Sequence, residues 1–329
     1  MTMPVATETL LDVRDLTISY TLRGETAAAV EGVSLSLAPG DSLGLAGESG
    51  CGKSTLALAC LGILPSNATV TGSIRFRGEE MLGAKPGRWR SLRWSGISMV
   101  FQGAMNALNP VQRIGDQVTE AILLHDRDRS TSEARAKTIE LLEAVGISGR
   151  RADGYPHEFS GGMRQRAMIA MALACDPPLV IADEPTTALD VMIQAQILEL
   201  LASLRDRLGL ALLLITHDLS VIAQVTERVA IMYAGRIVEE GSAADVLQHP
   251  AHPYTQALTA AFPHVGDPAA RASIGGIPGD PPDPFSRPAG CPFHPRCPAR
   301  FEPCDHVVPV LGAHGDVRVA CHLYPGSRP

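Results

Sequence analysis

The residues best suited to chemistry form a glycine-rich segment at positions 47–55, GESGCGKST. The segment fits the pattern G-x-x-x-x-G-K-[ST], and it lies between a short apolar run, LGLA, and a helical pattern over residues 53–64, as this motif requires. Glycines let backbone N–H groups turn toward a polyphosphate, Lys53 adds a positive charge, and the Ser54 hydroxyl can reach Mg²⁺. A tight strand–helix turn with a chance lysine is the alternative, and motif and context together disfavour it.

Two adjacent carboxylates, Asp183 and Glu184, follow the apolar run LVIA. At the carboxyl end of a parallel strand they would face the crevice in which ligands bind. Asp183 would then hold Mg²⁺ through water, and Glu184 would polarise an attacking water. The alternative is a solvated strand end, and the phosphate loop upstream favours the catalytic interpretation.

Two further polar residues, Gln102 and His217, also come at the ends of predicted strands. A neutral imidazole at position 217 can hydrogen-bond a γ-phosphate or order a water molecule. A lone histidine or glutamine at a strand end is more often only a polar terminus, so neither residue carries an assignment by itself.

The stretch FSGGMRQR at residues 159–166 starts a helical pattern. A helix N-terminus carries about half a positive charge and free N–H groups, so it attracts anions. Ser160 can donate its hydroxyl, and Gly161 and Gly162 allow the backbone to approach a phosphate closely. Taken alone, the stretch is better explained by an ordinary capped helix.

The elements that must position these residues follow from the hydrophobic pattern. Residues 11–46 alternate strand-like runs with turns, which predicts an antiparallel β region ending in a buried strand. Apolar strands that alternate with helices, including a helix over residues 191–208, predict a mostly parallel sheet covered on both faces. The intervening residues 103–160 contain two amphipathic helical patterns, the second capped by Thr131 or Ser132, and indicate a helical insertion.

Four of the seven cysteines lie near the C-terminus, in a region dense in proline and glycine: Cys291, Cys297, Cys304 and Cys321. Such a segment cannot build a hydrophobic core by itself and needs a cross-link, such as disulfides or a bound metal. In a reducing compartment the cluster indicates a metal site before it indicates disulfides. Four thiolates suit tetrahedral Zn²⁺ or an iron–sulfur cluster, and the spacing, which has no C-x-x-C pair, does not decide between them. His294 and His322 lie beside these cysteines and could substitute as ligands, but the favoured interpretation places both on the surface.

Composition narrows the function classes. The chain has 329 residues, is 45% hydrophobic and carries a formal net charge of −7, which argues against nucleic acid as the main partner. No apolar run reaches the length of about 18 residues needed for a membrane helix. The N-terminal residues lack an apolar signal core, so we expect a cytosolic protein whose membrane role would require partners that span the bilayer.

Taken together, these motifs resemble a known family. The phosphate loop, Gln102, FSGGMRQR, LVIADEP, ALD and ITHD occur in the order and spacing of an ABC-transporter ATPase. Over nearly the whole chain, the segments QGAMNALNPV, IADEPTTALDVMIQAQI, IMYAGRIVE and HPYTQAL and the terminal cysteines resemble the D-type ATP-binding subunit of dipeptide and oligopeptide importers. The resemblance implies a P-loop NTPase of ABC type, an α/β fold with a mostly parallel sheet core, an antiparallel β subdomain and a helical insertion.

The resemblance also implies a division of the chain. Residues 1–255 would form the ABC ATPase domain, with a helical subdomain at about 103–165, and residues 256–329 would form a C-terminal extension carrying the four-cysteine metal site. In the family that site holds a [4Fe-4S] cluster in some members, which makes the cluster the preferred cofactor and Zn²⁺ the alternative.

The family further implies that two such domains pack head to tail with ATP between them. The predicted ATP-binding residues are Tyr20, which stacks on adenine, with Gly47, Glu48, Ser49, Gly50, Cys51, Gly52, Lys53, Ser54, Thr55 and Gln102. The predicted catalytic residues are Glu184, His217 and Lys53, and the predicted Mg²⁺ ligands are Ser54, Gln102 and Asp183. Ser160, Gly161, Gly162 and Met163 would cap the partner's ATP, and Asp190 would communicate across the dimer. The usual family signature is LSGGQ, from which Phe159 and Met163 depart.

The implied partners are a second ATPase subunit of a different F-type chain, two transmembrane permease subunits and an extracytoplasmic substrate-binding protein, with no nucleic acid. Residues 103–112 would contact a permease, and the subunit would be peripheral on the cytoplasmic face of the inner membrane. The alternatives are an importer of nickel or another small solute, a DNA-repair or chromosome-organising ATPase, and a regulatory protein that binds ATP without hydrolysis. Glu184 and His217 weigh against the last.

Overall fold

The computed structural model describes residues 9–103, 107–261 and 277–327. The chain divides into two units by internal contacts. One unit contains Met1–Leu10, Ala38–Asp41 and Gly83–Leu214, and the other contains Leu11–Leu37, Ser42–Leu82 and Ile215–Pro329. These are the first and the second unit, respectively.

The strands are, in chain order, β1 (Leu11–Leu22), β2 (Glu25–Leu37), β3 (Ser42–Ala46), β4 (Ala68–Phe76), β5 (Glu79–Glu80), β6 (Ile97–Val100), β7 (Leu179–Asp183), β8 (Ala211–Thr216), β9 (Arg228–Tyr233), β10 (Arg236–Ser242), β11 (Gly312–His314) and β12 (Val317–Val319). The α-helices are α1 (Lys53–Cys60), α2 (Pro86–Leu92), α3 (Ile114–His125), α4 (Thr131–Ala144), α5 (Gly161–Ala172), α6 (Val191–Leu208), α7 (Leu219–Val225), α8 (Ala243–Gln248) and α9 (Pro253–Ala261).

The second unit contains a four-stranded antiparallel sheet in the order β2-β1-β4-β5. The buried positions of β1 alternate, as expected for a strand with one face on the core, but the alternation shifts between Val13 and Leu16. Asp15, with φ of 45°, lies at this irregularity. The predicted antiparallel entry to the fold is therefore confirmed.

The same unit holds five strands in the order β11-β12-β10-β9-β3, of which β3 and β9 are parallel. Every residue of β3 is buried, which is typical of a strand covered on both faces. An aromatic cluster forms part of the core, because the ring of Tyr233 lies 4.5 Å from that of Tyr254 and 5.3 Å from that of Phe293. Phe293 belongs to the proline-rich C-terminal region, so this region contributes to the core of the unit.

The first unit contains β6, β7 and the start of β8, in the order β8-β7-β6, together with helices α2 to α6. The strands β6 and β7 are parallel, and all residues of β7 are buried. Helices α3 and α4 share a small apolar cluster that includes Val118, Ile122 and Ala134. The boundary between the units falls within β8.

Helix ends were predicted less accurately than helices. Helix α6 has the predicted bounds, Val191–Leu208, whereas α1 ends at Cys60 and not at residue 64. Gly62, with φ of 60°, and Pro65 follow directly, and neither continues a helix readily. The predicted caps Thr131 and Ser132 are wrong, because the cap is Ser130, which forms a capping box with Glu133.

Two further expectations concern a membrane-spanning helix and the change in composition toward the C-terminus. No helix among the described residues is long and apolar enough to cross a membrane. The change in composition near residue 266 lies outside the described residues, as do residues 104–106 of the segment proposed to contact a permease.

Candidate nucleotide site and cysteine cavity

The predicted phosphate loop joins the end of β3 to the start of α1 in the second unit. The Lys53 side chain is buried, and its Nζ donates to the carbonyl oxygens of Gly47 at 2.7 Å and Glu48 at 2.9 Å. Gly52 has φ of 108°, and a Cβ there would lie 2.3 Å from the carbonyl oxygen of Ala29, so only glycine fits this position. The loop therefore leads into a helix N-terminus, where backbone N–H groups attract anions.

The loop has a buried and an exposed part. Gly47, Cys51 and Lys53 are buried, Glu48, Gly52 and Thr55 are half-buried, and Ser49, Gly50 and Ser54 are exposed. Burial raises the pKa of the Cys51 thiol, so this side chain stays neutral. The exposed backbone at positions 49 and 50 and the Ser54 hydroxyl are the parts open to a ligand.

The predicted acidic pair ends a buried strand in the first unit. Asp183 is the last residue of β7 and is buried, while Glu184 follows it with φ of 44°. A non-glycine residue in this conformation is strained, and such strain clusters at functional sites. The Glu184 carboxylate accepts hydrogen bonds from Gln102 Nε2 at 2.6 Å and from Thr187 Oγ1 at 2.9 Å. Because β6 and β7 are adjacent and parallel, the structure brings the predicted residues Gln102 and Glu184 together.

The Ser-Gly-Gly stretch starts a helix, as predicted. Ser160 is exposed and caps α5, since its Oγ accepts the N–H of Met163 at 3.3 Å. A Cβ on Gly162 would lie 2.6 Å from Cγ2 of Ile193, so the first turn of α5 packs closely on the first turn of α6. Asp190 caps α6 by accepting the N–H of Ile193 at 3.0 Å. The predicted signature residues and Asp190 therefore belong to one pair of packed helix starts.

The two remaining predicted residues, Tyr20 and His217, belong to the second unit. Tyr20 is half-buried on β1, opposite Ala27 on β2 and Ala68 on β4. His217 is exposed and comes directly after β8, next to Asp218, which caps α7.

The four C-terminal cysteines meet at one small cavity in the second unit. Its lining includes Cys291, Cys297, Cys304 and Cys321, together with His294 and His322. The expectation of a surface position is wrong for His322, which is buried. Burial raises the pKa of Cys291 to about 12 and that of Cys321 to about 11. Within the described residues, no three His, Cys, Asp or Glu side chains are arranged to hold a metal ion. The four thiols therefore converge on one cavity. Among the described residues, however, their arrangement does not form a preformed metal site.

Tyr254 and Arg296 contact the phosphate loop, and neither was predicted from the sequence to do so. Glu48 donates its backbone N–H to the Tyr254 hydroxyl at 2.9 Å, and its carboxylate pairs with Arg296. Arg296 lies 248 residues further along the chain, and no local pattern connects two such distant positions. The proximity of Arg296 to Cys297 in sequence was the one available signal that it belongs to a functional region.

Comparisons with known proteins agree with these observations. A family model described as ABC transporter matches residues 30–187, and one described as Oligopeptide/dipeptide transporter, C-terminal region, matches residues 238–304. The chain is 47% identical to the dipeptide transport ATP-binding protein DppD of Bacillus subtilis, over 92% of this chain and 90% of that protein. It is 45% identical to the oligopeptide transport ATP-binding protein OppD of Escherichia coli, over 94% of this chain and 92% of that protein.

A solved structure is similar as well. It is a dimeric ATP-binding cassette in a post-hydrolysis state bound to ADP and Pi, with a TM-score of 0.64 and 28% sequence identity. The match covers 71% of this chain and 98% of the cassette. The predicted fold class, an α/β cassette with parallel strands, is confirmed.

Proposed function

Because this chain belongs to the family of dipeptide and oligopeptide ABC-transporter ATP-binding proteins, we propose that it is the ATP-hydrolysing motor subunit of a peptide importer. The hydrolytic part of the proposal is carried by the 2.6 Å hydrogen bond between Gln102 and Glu184. That contact sets a carboxylate at the end of a parallel strand, beside a residue proposed to sense the γ-phosphate.

We propose residues 1–255 as the ATPase domain, with a helical subdomain at about 103–165, and residues 256–329 as the extension. Support comes from helices α3 and α4, which lie within the proposed subdomain. The transporter-specific family model begins at residue 238, slightly before the proposed boundary.

The chain's own residues divide the work on ATP. Residues 47–55 would bind the phosphates, with Lys53 as the point charge, and Tyr20 would stack on adenine. Glu184 would polarise the attacking water, and His217 would hydrogen-bond the γ-phosphate.

The proposed magnesium ligands are Ser54, Gln102 and Asp183. They supply hydroxyl, amide and carboxylate oxygens, a donor set that fits this ion. When bound, Mg²⁺ neutralises phosphate charge.

The second anion site of the chain would serve a partner. Ser160 is exposed at the N-terminus of α5, where Gly161, Gly162 and Met163 form the first helical turn. Since the chain needs only one of its two anion sites for its own nucleotide, we propose that this turn caps ATP held by a second, F-type ATPase subunit. Asp190, which caps the helix packed against that turn, would respond to the partner.

Exchanging the proposed base tests the function. In the assembled transporter, Glu184→Gln is expected to retain ATP binding and to lower turnover by about 10²–10⁴-fold, because a positioned general base contributes that much. Unchanged turnover would refute the assignment.

A pair of serine variants tests the partner site. Ser160→Ala is expected to abolish turnover in the complex, whereas Ser130→Ala, the same change at the exposed cap of α4, is expected to leave it intact. Equal turnover in both would contradict the shared ATP site.

The transport role requires further partners. We propose two transmembrane permeases, an extracytoplasmic binding protein and a peripheral position on the cytoplasmic face of the inner membrane, with residues 103–112 against a permease. Peptides are the proposed cargo, with nickel or another small solute as the alternative. Affinity purification from native membranes identifies the partners, and ligands of the co-purified binding protein decide the cargo.

We also propose a [4Fe-4S] cluster at the cysteine cavity, with Zn²⁺ as the alternative. The support is the donor set: four thiols line one cavity, three of them buried. The cavity is narrow, and the side chains around it would have to move apart to admit a cluster. Its role would be structural.

Anaerobic purification tests this proposal. About four iron atoms and inorganic sulfide per chain are expected, lost in Cys321→Ser and kept in Cys175→Ser, a cysteine of the first unit. Stoichiometric zinc in place of iron would assign the site to Zn²⁺. A purified protein that contains neither iron nor zinc would overturn the proposal of a metal site.

A further inference from the structure

The second residue of the phosphate loop is clamped from outside the loop. The Glu48 carboxylate accepts two hydrogen bonds from the Arg296 guanidinium, Nη1 to Oε2 at 2.7 Å and Nη2 to Oε1 at 3.0 Å. The Arg296 side chain is only 6% exposed and that of Glu48 24%. A bidentate, largely desolvated pair of this kind is stronger and more directional than a surface ion pair.

Arg296 is itself held firmly. Its Nε donates to the Pro278 carbonyl at 2.8 Å, and its remaining donors reach the Ile277 carbonyl and the Tyr233 hydroxyl, both at 3.2 Å. With the two bonds to Glu48, all five N–H donors of the guanidinium are used. Arg296 therefore connects the loop rigidly to the C-terminal region.

The same turn carries the cysteines. Arg296 ends a 3-10 turn, His294–Arg296, that lies between Cys291 and Cys297. Backbone hydrogen bonds run from the N–H of His294 to Cys291 and from the N–H of Cys297 to His294. A change in the position of either cysteine would thus be transmitted to the guanidinium.

The loop meets this region at two more points. The Glu48 N–H donates to the Tyr254 hydroxyl, and the Tyr254 ring packs against Phe293 at 5.4 Å. Pro281, Pro282 and Pro284 share the lining of a small cavity with residues 48–51. Glycine-rich loops lose much entropy on ordering, so contacts that hold one in a single conformation raise its affinity for a ligand.

We propose that Arg296 is a positioning residue for the phosphate loop, acting through Glu48, and that the cysteine-bearing turn thereby sets the affinity for ATP. The inference rests on the proposed ATP-binding function. Without Arg296, Glu48 would carry an unpaired negative charge in a loop that must receive polyphosphate. If the competent loop conformation falls to one-tenth of the population, the apparent affinity falls about tenfold.

Equilibrium binding of Mg-ATP to the full chain tests this. Arg296→Gln is expected to weaken binding about tenfold or more. Arg318→Gln, which breaks the exposed pair of Arg318 with Glu240 in the same C-terminal region, is expected to bind as the wild type does. Equal affinity of wild type and Arg296→Gln would overturn the inference, as would an equal loss in Arg318→Gln.

The role of Glu48 is tested by a double-mutant cycle. If Arg296 acts through Glu48, the double variant Glu48→Gln/Arg296→Gln binds ATP no more weakly than Arg296→Gln alone. Losses that simply add would overturn the inference. In the assembled transporter, Arg296→Gln is expected to raise KM for ATP with kcat little changed, because Glu184 is untouched.

Two further variants test the inference if Arg296→Gln folds poorly. Glu48→Gln removes the ion pair by changing the loop residue, and it leaves the hydrogen bonds from Arg296 to the Pro278 and Ile277 carbonyl oxygens in place. Arg296→Lys keeps the positive charge but loses the planar guanidinium that donates two parallel hydrogen bonds. Both are expected to weaken ATP binding, and wild-type affinity in both would overturn the inference. A wild-type chain that binds no ATP would instead refute the proposed function.

Discussion

His252 makes the stability of the second unit depend on pH. The imidazole is 1% exposed, and its Nδ1 accepts the N–H of Tyr254 at 3.0 Å, at the start of α9. Burial lowers its pKa to about 3, with a weaker opposing effect from a backbone hydrogen bond to Ala320. The folded protein therefore keeps this histidine neutral throughout the ordinary pH range.

The sign and size of the effect follow from linkage. The unfolded chain has a histidine pKa of about 6.5, so between pH 6.5 and 3 the unfolded state binds a proton that the folded state does not. The stabilisation is complete above about pH 6.5 and is lost as the pH falls. From pH 7 to pH 5.5 the free energy of unfolding is expected to fall by about 1.3 kcal/mol from this residue.

Urea unfolding at the two pH values measures this loss. The control is His252→Asn, which keeps an acceptor for the Tyr254 N–H and does not titrate. Glu239, whose pKa is raised by burial, changes stability in the opposite direction and is present in both proteins. Wild type should lose about 1.3 kcal/mol more than His252→Asn. Equal losses would refute the idea that burial keeps His252 neutral.

Two substitutions test local features of the nucleotide site. Gly52→Ala is expected to abolish ATP binding in an equilibrium titration, because its Cβ would lie 2.3 Å from the Ala29 carbonyl oxygen. Gly40→Ala, also at positive φ but with open space around it, should bind normally, and normal binding in both would contradict the steric argument. Asp190→Ala is expected to lower the free energy of unfolding by about 1 kcal/mol through loss of the α6 cap, and unchanged stability would contradict that role.

Local patterns in the sequence predicted much of this fold. The bounds of α6 follow from its apolar stripe, and the phosphate loop and the capping Ser160 follow from motifs a few residues long. The approach of Gln102 to Glu184 was predictable because each lies just after a strand of a parallel pair. Such features depend on residues that are close along the chain or on the regular geometry of a sheet. Both can be recognised in the sequence, as short motifs or as repeating hydrophobic patterns.

Contacts between distant side chains leave no such trace. The motif G-x-x-x-x-G-K-[ST] leaves the residue type at position 48 open, and only the folded chain brings Arg296 and Tyr254 to Glu48. The cap of α4 was missed for a different reason: three hydroxyl residues are consecutive, and only Ser130 has a glutamate three residues later, which is the spacing of a capping box.

The phosphate-loop motif predicts which ligand the loop binds better than it predicts which distant residues hold the loop in place. The loop must leave the backbone at positions 49 and 50 exposed to receive a phosphate, so its anchors have to approach from other sides. Those anchors include Tyr254 and Arg296, and both touch the aromatic core around Tyr233. Because that core also contains Phe293, which lines the cysteine cavity, a change at the cysteines reaches the loop through packed and hydrogen-bonded side chains.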